Sequence, residues 1–141
     1  MELLDKTYSE VVLKVSQDFC AIDAQADKAE RLGFLLVAGP GYRKALEFLV
    51  KDYLCGLLPG TKEEIEKAPL AQCIAKFVKN ENVKLTASRA AWLGNDETHF
   101  IRKWEDKDLQ DLKGLIKLTM LWIEMEELTK NVAADMPEGK K

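Results

Sequence analysis

Apolar positions recur along most of the chain at helical spacing. Phe19, Ile22, Ala26 and Ala29 mark one stripe, with Ser16 placed as an N-cap and Gly33 as the stop, so a helix is expected up to about Leu32. Phe34 to Ala38 would open a second helix, but Gly39-Pro40-Gly41 interrupts it, since proline is tolerated in a first turn and kinks a helix interior. From Tyr42 the pattern is clean again. Ala45, Leu46, Leu49, Val50, Tyr53, Leu54 and Leu57 form a stripe that Pro59-Gly60 ends.

Residues 60–68 read as a charged connection with room for a helical turn. Pro69 stands where an N1 proline would, ahead of Leu70, Cys73, Ile74, Phe77 and Val78. Val83 to Leu93 forms a further helix stopped by Gly94, and a long last helix runs from about Asp106 to Asn131. Its apolar residues, from Leu109 to Leu128, cover more than one face, which is the mark of a helix central to a bundle. The first fifteen residues are ambiguous, because Val11, Val12, Leu13 and Val15 fit a short strand or an extended arm. Residues 133–141 have no periodicity and read as a flexible tail. The expectation is one all-α domain over 16–132: a bundle of about five helices with a long C-terminal helix at its centre.

Length agrees with this. A chain of 141 residues is one domain by size and buries enough surface for an ordinary core. The formal net charge of −3 argues against coating nucleic acid through bulk charge, though a local basic patch is compatible with it. Cys20, Cys55 and Cys73 lie far apart, with no Cys-x-x-Cys spacing, and each falls among apolar helical positions. Three unpatterned cysteines, behind a start that has no basic or long apolar leader, fit a reducing cytoplasm. The run Phe34 to Ala38 is too short to cross a bilayer, and no membrane association is expected.

The chemistry concentrates in one place. The single histidine, His99, follows a helix break in Gly94-Asn95-Asp96-Glu97-Thr98-His99. Asp96 precedes it by three residues and Arg102 follows by three, so on helical backbone all three would share a side. A carboxylate in that position orients the imidazole and keeps it basic. A general acid/base beside a guanidinium is what metal-free phosphodiester cleavage needs, the base taking a 2′-hydroxyl proton and the cation stabilising the phosphorane. Such chemistry works best with both an acid and a base, so one histidine per chain calls for a homodimer that apposes two copies of His99. Arg102-Lys103 is the basic patch beside it and would contact phosphate. The competing interpretation is structural: Gly94-Asn95 is a helix cap and His99 a side chain held for the fold. Asp96, Glu97 and His99 are too few for zinc, with no cysteine or second histidine nearby, and no nucleotide-binding glycine motif occurs, so neither metal nor cofactor is expected.

Two stretches together resemble a known family. They are Gly41-Tyr42-Arg43-Lys44-Ala45-Leu46-Glu47-Phe48-Leu49-Val50-Lys51-Asp52-Tyr53 and Trp92-Leu93-Gly94-Asn95-Asp96-Glu97-Thr98-His99-Phe100. An Arg-Lys-Ala-Leu-Glu helix followed downstream by Leu-Gly-Asn and a histidine resembles the prokaryotic domain-of-unknown-function family 4145, grouped with the HEPN helical bundles. The similarity spans about Phe19 to Leu128. It implies a HEPN-like bundle, often dimeric, of the kind found in bacterial and phage-linked defence or stress systems. Many such proteins are metal-independent endoribonucleases, and others are inactive interaction or nucleotide-binding modules. The nuclease motif is an arginine, four to six residues, then a histidine. His99 and the polar Asn95 match its end, but positions 92, 93 and 94 are Trp, Leu and Gly. A catalytic cation would therefore have to come from Arg43 or Arg102. Arg43 and Glu47, four apart, have a simpler use as an exposed ion pair. Arg43 close to Asn95 or Asp96 would instead make the turn a clasp between helices. An RNA-cleaving dimer and a module that binds a partner protein both stand open.

Overall fold

The computed structural model describes residues 4–94 and 106–139. Its described residues form an all-α bundle with a long C-terminal helix, as the periodicity predicts. The helices are α1 (Glu10–Val15), α2 (Gln17–Arg31), α3 (Leu35–Leu57), α4 (Lys62–Lys67), α5 (Leu70–Phe77), α6 (Glu81–Gly94) and α7 (Asp106–Asp135), with a 3₁₀ turn at Pro59–Thr61. The short helices α1 and α4 raise the count above the expected five.

The valine-rich start is helical where a strand or arm was expected. Ser9 caps it by accepting from the Val12 N–H, and Val12 is buried in the bundle. Six residues do not hold a helix in isolation, so docking outweighs the β-branched preference of the segment. Ser16 is the hinge. Its extended backbone closes α1, its N–H bonding the Val12 carbonyl, while its hydroxyl caps α2 through the Phe19 N–H. That same hydroxyl donates to Asp52 on α3. The preceding segment is strapped onto α2 rather than free: Lys6 and Tyr8 both bond Asp23, Lys28 pairs with Asp5, and Arg31 donates to the Leu4 carbonyl.

Gly33 ends α2 as expected, at φ +84°. The Phe34 N–H bonds the Ala29 carbonyl and the Gly33 N–H bonds the Glu30 carbonyl, which is the Schellman arrangement that a glycine accepts without strain. The expected interruption at Gly39-Pro40-Gly41 does not occur, and α3 runs unbroken through Pro40 for 23 residues. Tertiary packing explains it. Ala38 and Gly39 are buried, and a Cβ added to Gly41 would stand only 3.1 Å from Ala26 Cβ. The absent side chain lets α3 approach α2 closely, and this pair is the most extensively packed in the bundle. Pro69 sits one position earlier than expected, as the N-cap of α5, and Asn80 caps α6 through the N–H groups of Asn82 and Val83.

The core runs along α3, whose Tyr42, Ala45, Leu46, Leu49, Val50, Tyr53 and Leu54 are all buried. From α7 it receives Leu109, Leu112, Ile116 and Ile123, with the buried Thr119 set 2.9 Å from the Thr86 hydroxyl of α6. Asn80 likewise reaches Glu126, so α6 and α7 run antiparallel. The helix α7 continues to Asp135, past the expected end at Asn131, and shortens the tail. It is central on one face only. Its opposite face is left exposed by the chain.

Candidate functional site

Most of the predicted site, namely Asn95, Asp96, His99, Arg102 and Lys103, lies outside the described residues. The two remaining members, Arg43 and Glu47, are on α3, and they diverge. The Arg43 stem lies against the end of α6: a Cβ built on Gly94 would be 3.4 Å from Arg43 Cγ and 3.6 Å from its Cβ and Cδ. Arg43 therefore reaches the residue that directly precedes Asn95. Glu47 does not take up Arg43 as its partner but pairs with Lys51 at 3.0 Å. Lys51 is the better partner because it is already held nearby, donating to the Ala68 carbonyl (2.8 Å) and the Glu66 carbonyl (3.2 Å) at the turn between α4 and α5.

Two polar clusters escaped the sequence reading. Asp23 is buried and accepts from Lys6 and Tyr8. Glu30 accepts from Tyr42 of α3 (2.7 Å) and from Gln110 (2.8 Å) and Lys113 (2.9 Å) of α7. Burial pushes the Glu30 carboxyl up, but these hydrogen bonds outweigh it and hold the group below the ordinary carboxylate range. Burial and the facing carboxylates raise both Tyr8 and Tyr42, which stay protonated and donate. The visible signal was a carboxylate inside an apolar stripe, since Asp23 stands between Phe19 and Ala26 on the buried side of α2. A cleft of about 400 Å³ opens beside these clusters, lined by Asp27, Lys117 and Met120 among others. Asp23 and Glu30 are already matched by the chain's own tyrosines and lysines, so the arrangement tethers α2, α3 and α7.

No group of three or more His, Cys, Asp or Glu side chains among the described residues has the placement of a metal site. The described cysteines are free, and Cys20 and Cys73 are buried. No described helix is long and apolar enough to cross a membrane.

What the chain offers outward is apolar. Leu118, Leu121, Met125, Leu128 and Val132 are between 37% and 58% exposed. They recur at three- and four-residue intervals on α7, opposite the seam of Leu109, Leu112, Ile116, Thr119 and Ile123 that fills the core. Leu85 and Trp92 are exposed on α6, and Trp92 is 76% exposed. Trp92 lies on the side of α6 away from the buried Val83, Ala87 and Ala90.

The fold defines a class, the all-α helical bundle. Comparison with known protein families, with curated proteins and with solved structures finds no match to this chain.

Proposed function

We propose that this chain is a non-catalytic interaction module whose working surface is the outer face of α7. The carrying observation is the stripe Leu118, Leu121, Met125, Leu128 and Val132, which the chain's own fold leaves uncovered. Single exposed leucines are ordinary, whereas an aligned apolar row along several helical turns is the mark of a protein-binding surface. A photo-crosslinking residue substituted at Met125, in the full chain inside the cells that make it, tests the reading. A covalent product larger than the chain is expected. Unchanged mobility after illumination refutes the module.

A second reading is supported by the position of Arg43. Its aliphatic stem lies against Gly94, so its guanidinium is within a side chain's length of the root of the segment that carries His99. In this reading the protein is a metal-independent endoribonuclease of a prokaryotic or phage defence or stress system, with the HEPN-like character that the sequence resemblance implies. His99 acts as acid/base, Asp96 orients it, Asn95 and Lys103 contact the RNA, and Arg43 or Arg102 stabilises the phosphorane. Incubating the wild type and His99→Ala with total RNA in EDTA decides this. Fragments ending in cyclic phosphates from the wild type alone establish the nuclease, and equal backgrounds remove it.

A further inference from the structure

We infer that the cleft between α2 and α7 is the binding site of a small amphipathic monocarboxylate, an anionic head on an apolar body. It borders the first half of α7, apart from the exposed stripe of residues 118–132. The cleft exists because α2 and α7 both pack on α3 but scarcely on each other. Glu30 ties them together at one end through Gln110 and Lys113. Lys6 of the N-terminal strap borders the α2 side, held on Asp23. Gly114 keeps the α7 wall open, since a Cβ added there would meet nothing within 4 Å among the described residues. A glycine inside a helix costs stability relative to alanine, so helix formation itself gives no reason for this residue. The resulting space, about 400 Å³, falls within the ~300–1,000 Å³ typical of small-molecule sites.

The lining sets the chemistry of the ligand. Phe19, Ile116 and Met120 form an apolar floor, and the first two belong to the buried core, so an apolar body placed there continues the core outward. Most charged groups of the lining are committed to partners: Lys6 to Asp23, Lys113 to Glu30, and Asp27 to Arg31 at 3.0 Å. Lys117 is exposed and makes no ion pair or hydrogen bond among the described residues. Three lysines against two aspartates leave the lining one positive charge in excess, and Lys117 is the side chain free to offer it. A single carboxylate meets that excess. A polyanion such as a phosphate would bring further negative charge towards Asp23 and Asp27, and a cation would face Lys117, so the same lining disfavours both.

Isothermal titration calorimetry of octanoate into the full chain tests the site. One octanoate per chain is expected, with roughly tenfold weaker binding of octylamine, which carries the same tail and the opposite charge. Lys117→Glu should weaken octanoate binding by roughly tenfold or more. Because Lys117 is exposed, this variant should keep the wild-type circular dichroism. Gly114→Trp, which fills the open wall, should lower the affinity to a similar degree, and where that variant fails to fold, Lys117→Glu decides alone. Absence of octanoate binding overturns the site. So does equal affinity for octanoate and octylamine, or an unchanged octanoate affinity in the folded Lys117→Glu variant. Binding that is lost in Met125→Lys and kept in Gly114→Trp also overturns it, by placing the tail on the outer face of α7.

Discussion

Glu30 receives hydrogen bonds from Tyr42, Gln110 and Lys113, and so one carboxylate joins α2, α3 and α7. Its acidity is strengthened in the fold, so the stability it contributes is present above the ordinary carboxylate range. That stability is lost as the pH falls through the lowered folded value. Glu30→Gln is therefore expected to cost about 1–3 kcal/mol at neutral pH and much less near pH 3, read from thermal melts at both. An equal loss at the two pH values would show that charge plays no part in the clamp. Cys20 illustrates the opposite sign. Burial, with Asp23 close by, pushes its thiol up to about 11, so the thiolate is scarce at pH 8. Iodoacetamide should leave Cys20 of the native protein largely unmodified at that pH and label it readily after denaturation. Rapid native labelling would contradict this burial.

At the scale of elements, α3 and α6 show what packing does to local preference. Pro40 lies at the sixth position of α3, where it removes a hydrogen bond to the Leu36 carbonyl, and the helix nevertheless continues. The close α2–α3 approach at Gly41 and the buried Ala38 and Gly39 hold it in place. Pro40→Ala restores the donor and should stabilise the protein by about 1–3 kcal/mol, measured by urea unfolding. A destabilised variant would mean that the proline bend itself is needed for α3 to fit α2. One turn further along α3, a Cβ added to Gly94 would meet the Arg43 stem in ordinary van der Waals contact, with no clash. Gly94→Ala should thus shift stability by less than about 1 kcal/mol, whereas Arg43→Ala, which strips the aliphatic cover from the end of α6, should cost about 1 kcal/mol. Reversal of that order would show that the glycine conformation, not the arginine stem, holds the α6 terminus.

Across the whole molecule, one face of α7 fills the core and the other is exposed. Substitutions on the inner seam act on the core, and those on the outer seam act on what the core presents. Met125→Lys should leave the melting temperature of the isolated chain nearly unchanged because Met125 is exposed, whereas Ile123→Ala should cost about 2–5 kcal/mol, and differential scanning calorimetry checks both.

The periodicity of Phe19 to Ala26, Ala45 to Leu54 and Leu109 to Ile123, with Ser16 and Gly33 as stops, determined the all-α class and most helix positions by itself. Local rules, namely side-chain spacing, capping hydroxyls and left-handed glycine, act over a few residues and are written in them. The candidate chemistry around His99 was legible only as residue types and spacing, and of its members the structure positions Arg43 and Glu47 alone. Three features needed the tertiary structure. The β-branched start became α1 because Val12 had a core to enter, and α3 passed through Pro40 because α2 packs against it. The apolar residues of α7 were plain in the sequence, but both faces carry the same repeat. Only the packing of α3 and α6 decided which face fills the core and which stays exposed.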